Sequence, residues 1–341
     1  DPEQPEYMFR RDVDYCSGAF LLFRKQDFIA LNGFDEQFAP AYYEESDFCV
    51  RLRKSGKRVV YDPRAIITHF EFASTGGINK ASELQLAHRQ LFCQKHSDFL
   101  SQFYDHTRCS PLQARSPTGL HNVLVIDDRV PYPSMGSGYP RSCHLLQTLL
   151  AMPVRLTFYP LQFPQDDWQE VYAQIGMDFE VMLDHGRERL LEFLQSRIGF
   201  FDCIIVSRDH NMDFFNQAVM LDPRIAQHTR IIYDAEALIA PRKIMHRRLL
   251  GETVSEAEAI SAIKQEAHKA RLADAVIAVS EYEADYFRSY ENKPTVVAGH
   301  AIRPRRTENV FASRKDLLFV GALREDDSPN VDSLVWFMEQ C

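Results

Sequence analysis

Val123-Leu124-Val125-Ile126-Asp127-Asp128, followed by Gly136-Ser137-Gly138-Tyr139-Pro140-Arg141 and an apolar stretch from Cys143 to Met152, is the passage that decides the fold. An unbroken apolar run of this length that ends in acids reads as a strand buried on both faces. Pro140 fits the first turn of the helix that follows, where its missing amide costs little. The same texture recurs downstream, in Val154 to Tyr159, Cys203-Ile204-Ile205-Val206, Arg230-Ile231-Ile232-Tyr233, Ala275 to Val279, Thr295-Val296-Val297 and Leu317-Leu318-Phe319-Val320. Helix-like stretches separate these runs. Ser255-Glu256-Ala257-Glu258 and Ser280-Glu281-Tyr282-Glu283 each fit a capping box, in which the serine and the fourth-position glutamate satisfy each other's backbone amides. Strand followed by capped helix predicts an α/β unit, a doubly wound parallel sheet.

Upstream the texture is different. Asp14-Tyr15-Cys16-Ser17-Gly18-Ala19 opens it; Asn32-Gly33-Phe34-Asp35-Glu36 follows, then Tyr43-Glu44-Glu45-Ser46-Asp47-Phe48-Cys49-Val50-Arg51-Leu52-Arg53, with Gly56 behind and His69 beyond. The acids precede Phe48, Val50 and Leu52, which predicts a helix with carboxylates in its first turn and glycine at its stop. The helix dipole favours the ionised form there, the form a general base must have. First-turn acids also simply stabilise surface helices, so the pattern alone leaves both readings open. His69, two residues after Ile66-Ile67, reads equally well as a metal ligand or as a satisfied histidine at a strand end. Ala81 to Phe103 carries Leu84, Ala87, Leu91 and Phe99 at helical spacing. Ser101 to Leu120, with Ser110-Pro111 and Ser116-Pro117-Thr118-Gly119, reads as a linker between two units. The chain opens at Asp1-Pro2 and stops at Cys341, just past Trp336-Phe337-Met338 and inside an amphipathic pattern, as a fragment of something longer would.

Composition narrows the class. The 341 residues are 45% hydrophobic and 26% charged, enough for two globular cores. A formal net charge of -9 with scattered Lys and Arg argues against nucleic acid as a partner. The seven cysteines are irregularly spaced and form no CxxC pair, so neither a disulfide framework nor a zinc site is signalled. A reduced, cytoplasmic setting is expected. No apolar run approaches the ~20 residues needed to span a bilayer. Arg242-Lys243 and His246-Arg247-Arg248 form a basic strip that would at most touch anionic lipid head groups.

The upstream motifs resemble the C-terminal half of family 2 (GT-A) glycosyltransferases. The ordered set from Val123 onward, with Phe201 to Arg208, Tyr233-Asp234-Ala235-Glu236, Ala273 to Glu281, and Leu318 to Arg324 with Pro329-Asn330-Val331-Asp332, resembles the N-terminal domain of group 1 (GT-B) glycosyltransferases. The resemblance implies an α/β chain in four parts: residues 1–104 from a partial GT-A C-terminal region, 105–120 a linker, 121–312 a doubly wound Rossmann-like GT-B N-terminal domain, and 313–341 the start of the GT-B C-terminal domain. It implies Glu45 as base, with Asp47 and Glu44 beside it, and Gly18 and Asp35 shaping an acceptor pocket. His69 would offer its imidazole to a divalent metal, Mn or Mg, in the GT-A part only. The family's Asp-x-Asp motif does not stand upstream of Asp14, so residues 1–100 are not expected to be a complete transferase. In the GT-B part, where no metal is implied, Gly136, Ser137, Gly138, Arg208, Asp234, Glu236 and Gly321 are the cleft candidates. A glycine-containing loop after the first strand there lets backbone amides approach phosphates or acceptor.

The implied partners are a nucleotide-sugar donor and a saccharide or lipid-linked saccharide acceptor, in bacterial surface polysaccharide assembly at the cytoplasmic side of the membrane. The first part would invert at the anomeric carbon and the second would retain. A dehydrogenase fits poorly: the glycines begin about ten residues after the strand, Arg141 stands where the third glycine belongs, and Tyr159-Pro160 ends the second strand without a ribose-binding acid. The competing non-enzymatic expectation is a degenerate tandem kept as a saccharide-binding or scaffolding module.

Overall fold

The computed structural model describes residues 4–69, 78–102, 112, 120–136, 138–301, 304, 308, 310–321, 323 and 328–341. Most of the expected linker and Ser137 lie outside these residues.

The downstream unit is built on a seven-stranded parallel sheet. Its strands are β3 (His121–Asp127), β4 (Val154–Pro160), β5 (Glu180–Val181), β6 (Cys203–Ser207), β7 (Arg230–Asp234), β8 (Ala275–Ala278) and β9 (Thr295–Val297), in the order β5-β4-β3-β6-β7-β8-β9. The chain runs outward from β3 through β4 to β5, then crosses back to build β6 to β9 on the other side of β3. The topological switch therefore falls between β3 and β6, where open parallel sheets bind ligands beyond their strand C-termini. Register is continuous there, with Val123 to Ile126 facing Cys203 to Val206.

Alternation along the strands explains the two helical layers. Leu124, Ile126, Ile204 and Val206 face one core with Phe193, Phe215 and Phe287 from the helices Leu190–Ser196, Asp209–Leu221 and Glu281–Glu291. Val123, Val125 and Ile205 face the other with Leu146 and Val171 from the helices Tyr139–Leu150 and Trp168–Gln174. Six of the seven strands expected from sequence form; Leu317 to Val320 does not. Leu318 is 88% exposed and Val320 85%, because an extended apolar segment becomes a strand only beside a partner, and no described strand lies beside this one. The serines of both capping boxes accept from Glu258 N and Glu283 N. The reciprocal halves are not made: Glu258 pairs with Arg247, and Glu283 accepts from the backbone of Leu238.

Among the described residues the upstream unit has little sheet, only the antiparallel pair β1 (Arg11–Asp12) and β2 (Val60–Tyr61). Its core is aromatic: Phe23, Phe28, Phe34 and Phe48 meet with ring centroids 4.9 to 6.4 Å apart. The expected helix from Ala81 to Phe103 is two helices, Ile78–Lys95 and Ser97–Leu100, interrupted at His96. Among the described side chains Ala81, His88 and His96 are buried, whereas Ala87 is exposed and Leu84, Leu91 and Phe99 are half-buried. Two polar side chains thus pack this helix, each through hydrogen bonds that an apolar periodicity does not reveal. The segment from Gln4 to Arg10 ties the upstream unit to the sheet: Arg10 N donates to Met177 O at 2.7 Å, its guanidinium grips Asp178, and Tyr172 Oη donates to Met8 O.

Candidate functional site

The acidic motif forms the helix Glu44–Lys54, stopped by Gly56 at φ 78°. Its entry is strained, since Tyr42 and Tyr43 both take φ 74°, a region that bulky residues leave unless held. His88 Nδ1, 3.0 Å from the carbonyls of Ala41 and Tyr42, helps to hold it.

Asp47 is the anchor of this site rather than an open base. It is fully buried; Oδ2 accepts from Arg51 Nε at 2.7 Å, and Oδ1 from Lys95 Nζ at 2.6 Å and His96 Nε2 at 2.8 Å. Burial pushes its carboxyl up, but the hydrogen bonds from Lys95, His96 and Arg51 outweigh this and hold it below the usual range. Desolvation lowers His96, so its ring is neutral near pH 7: Nε2–H donates to Asp47, and Nδ1 accepts from Lys54 Nζ at 3.2 Å. Arg51 also donates to the carbonyls of Leu31 and Gly33, and Lys95 bridges Asp47 to Asp35, which caps the turn Glu36–Phe38. Asp35 is thereby joined to Asp47 as scaffold.

Glu44 and Glu45 differ from Asp47. Each keeps a buried carboxylate oxygen, Oε2, with no hydrogen-bond partner. Burial raises the pKa of Glu44. Glu45 packs against Gly18, whose added Cβ would stand 3.6 Å from Glu45 Cβ. The fold thus brings Glu45 against Gly18, with Glu44 beside it in the same helical turn and one unpaired carboxylate oxygen on each acid. His69 is exposed in irregular chain. Among the described residues no three His, Cys, Asp or Glu side chains gather as a metal-holding group, and residues 70–77, which follow His69, lie outside the described ones.

A second cluster lies at the switch between β3 and β6. Arg208, at φ 76°, directs Nε to Asp127 at 2.8 Å and to Asp128 at 3.2 Å, and Nη1 to Glu236 at 2.5 Å; its guanidinium lies 4.6 Å from the Tyr139 ring centroid. Arg141 forks onto the buried Asp234 at 2.7 and 2.9 Å, and Ser207 Oγ also donates to Asp234. His210 and Asn211 both meet Asp128, at 2.6 and 3.0 Å. Arg208, Asp234, Glu236 and Gly138 thus converge as the strand-end rule expects. Asp127, Asp128, Arg141, His210 and Asn211 are not among the cleft candidates that the sequence offers; Asp127-Asp128 closing an apolar strand is the available signal. Gly136 has open space around it, and Gly321 packs against Phe319 and Asn330 rather than in this crevice.

Comparison with known proteins bears on the upstream site. Residues 3–73 match the family described as the N-terminal domain of galactosyltransferase. The rhamnosyltransferase WbbL of Escherichia coli K12 is 41% identical over 58 residues, 17% of this chain and 22% of that protein. The N-acetylglucosaminyl-diphospho-decaprenol L-rhamnosyltransferase of Mycobacterium tuberculosis is 38% identical over 82 residues, 24% of this chain and 26% of that protein. These matches support a glycosyltransferase. The chain spans about a quarter of the length of these relatives. Glu44, Glu45, Asp47, Gly18, Asp35 and His69 all fall inside residues 3–73. Among the described residues no helix is long and apolar enough to cross a membrane.

Proposed function

We propose that this chain is part of an enzyme that moves a sugar from a nucleotide-sugar donor to a saccharide or lipid-linked acceptor, with Glu45 as general base. The observation that carries the reading is the pair of buried, unpartnered carboxylate oxygens on Glu44 and Glu45, within the stretch that matches the galactosyltransferase family. Glu45 takes the proton of an acceptor hydroxyl, the freed oxygen bonds to the anomeric carbon, and the bond to the nucleoside diphosphate breaks with its electron pair leaving on the diphosphate. Asp47 does not titrate in this step; with Lys95, His96 and Arg51 it fixes the helix start that presents Glu45.

The finer reading is a tandem: residues 1–104 as acceptor-side GT-A region, 105–120 as linker, 121–312 as GT-B N-terminal domain and 313–341 as the start of its partner domain. The strand order around the β3–β6 switch supports the GT-B part. The names of the relatives make an activated rhamnose and a polyprenyl-diphosphate-linked amino sugar the first pair to try, at the inner face of the membrane. Incubating the whole protein with a panel of nucleotide sugars and this acceptor, with products read by mass spectrometry, tests the reading. Addition of one hexose or deoxyhexose to the acceptor is expected; acceptor returned unchanged with every donor, under binding saturation, contradicts it.

A further inference from the structure

The crevice of the parallel sheet holds a carboxylate of the chain itself. A Cβ added to Gly138 would stand 1.1 Å from Glu236 Oε1, so this carboxylate is packed on the residue that opens the helix Tyr139–Leu150. Its other oxygen meets Arg208 Nη1 at 2.5 Å. Glycine at that position supplies no side-chain cap for the helix. Arg208 Nη2 is buried and has no partner, although three acids surround the same guanidinium. Glu236 at φ 56° and Arg208 at φ 76° both sit in left-handed backbone. A spare guanidinium donor, an uncapped helix start and strain on both partners therefore surround one internal anion.

We propose that Glu236 is a built-in gate: its carboxylate occupies an anion site formed by Arg208 and the start of the helix Tyr139–Leu150, and a phosphate-bearing ligand binds there by displacing it. A phosphate reaches Arg208 Nη1 and Nη2 together, a two-point contact that Glu236 makes only in part. The gate lies in the sheet unit and does not depend on sugar transfer at Glu45. The charged groups facing Glu236 are Arg208, Asp127, Asp234 and Arg141, from the ends of β6, β3 and β7 and from the helix Tyr139–Leu150. Burial chiefly, with Asp127 and Asp234 adding to it and Arg208 opposing, pushes the Glu236 carboxyl up to about 7. Protonation near neutrality therefore loosens the gate from Arg208 as pH falls.

The test is calorimetric titration of inorganic pyrophosphate into the whole protein, its Glu236→Gln variant and its Arg208→Gln variant, at pH 8 and pH 6. At pH 8 Glu236→Gln is expected to bind about tenfold more tightly than wild type, the cost of one charge-assisted contact removed. At pH 6 that ratio shrinks towards one, and dividing by the variant cancels protonation of the ligand. Arg208→Gln loses binding; should it fail to fold, Arg208→Lys, which keeps the charge without the fork, is expected to bind at least several-fold more weakly than wild type. UDP titrated in parallel separates the sources: tighter binding than pyrophosphate places a nucleotide in the crevice, equal binding a bare diphosphate, and either supports the gate. Equal or weaker binding by Glu236→Gln at pH 8, or wild-type binding after loss of Arg208, overturns the proposal.

Discussion

Replacing Asp47 by Asn is the sharpest perturbation of the upstream site. The shape is kept, but the charge is lost and an amide N–H is set against donors. Its carboxylate is wholly buried, whereas Arg51 and Lys95 are 18% and 27% exposed and His96 only 2%. Breaking a buried pair by removing one partner costs about 3–5 kcal/mol, and the partial exposure of Arg51 and Lys95 places this case near the low end, about 3 kcal/mol. That corresponds to a factor of roughly 150 in the opening equilibrium. Trp168 and Trp336 lie outside the upstream unit, so fluorescence is a poor reporter. Hydrogen exchange of the amides in Glu44–Lys54, read by mass spectrometry, is the right assay. Because the folded pKa of Asp47 is depressed, its contribution is complete above the unfolded value of about 4 and lost as pH falls through the folded value. The difference between wild type and variant should hold at pH 7 and close only below about pH 4. A difference under about 1 kcal/mol at pH 7, below the range for buried pairs, would refute the anchoring role.

Other outcomes follow from the same contacts. Phe287→Ala, at a fully buried ring 5.9 Å from that of Tyr233, should destabilise the sheet unit by about 3–5 kcal/mol in urea melts. Ser280→Ala, which removes the acceptor for Glu283 N, should cost about 1 kcal/mol by the same assay. Hydrogen bonds to Asp128 and then Asp209 raise His210 to about 9, so its contribution to stability is complete below the unfolded value of about 6.5 and lost as pH rises through about 9. An NMR titration of His210 in Asp128→Asn should therefore show its pKa falling towards 6.5, and an unmoved value would contradict the pairing.

The sheet was legible because strands buried on both faces announce themselves as apolar runs, and six of them did so. The same signal misled at Leu317 to Val320, where no described strand lies alongside. It was silent at β5, two residues long, whose Glu180 is buried against Arg197. The acidic helix start was readable from Glu44-Glu45-Ser46-Asp47 and Gly56. What separates Asp47 from its neighbours was not, since Lys95, the last residue of its helix, and His96, in the break after it, arrive from some fifty residues away. Arg141 and Asp234, 93 residues apart, meet only through the order of the strands. Local pattern therefore found the elements and the motif, while the division of labour among charged residues depended on long-range partners.

The central claim is that Glu45 takes the proton of the acceptor, and the direct measurement is the transfer rate of labelled sugar by the whole protein and by its Glu45→Gln variant, at saturating donor and acceptor. The account requires a fall of at least about a hundredfold in kcat for Glu45→Gln, with KM and exchange protection of the helix Glu44–Lys54 unchanged. A variant that keeps wild-type kcat would contradict it.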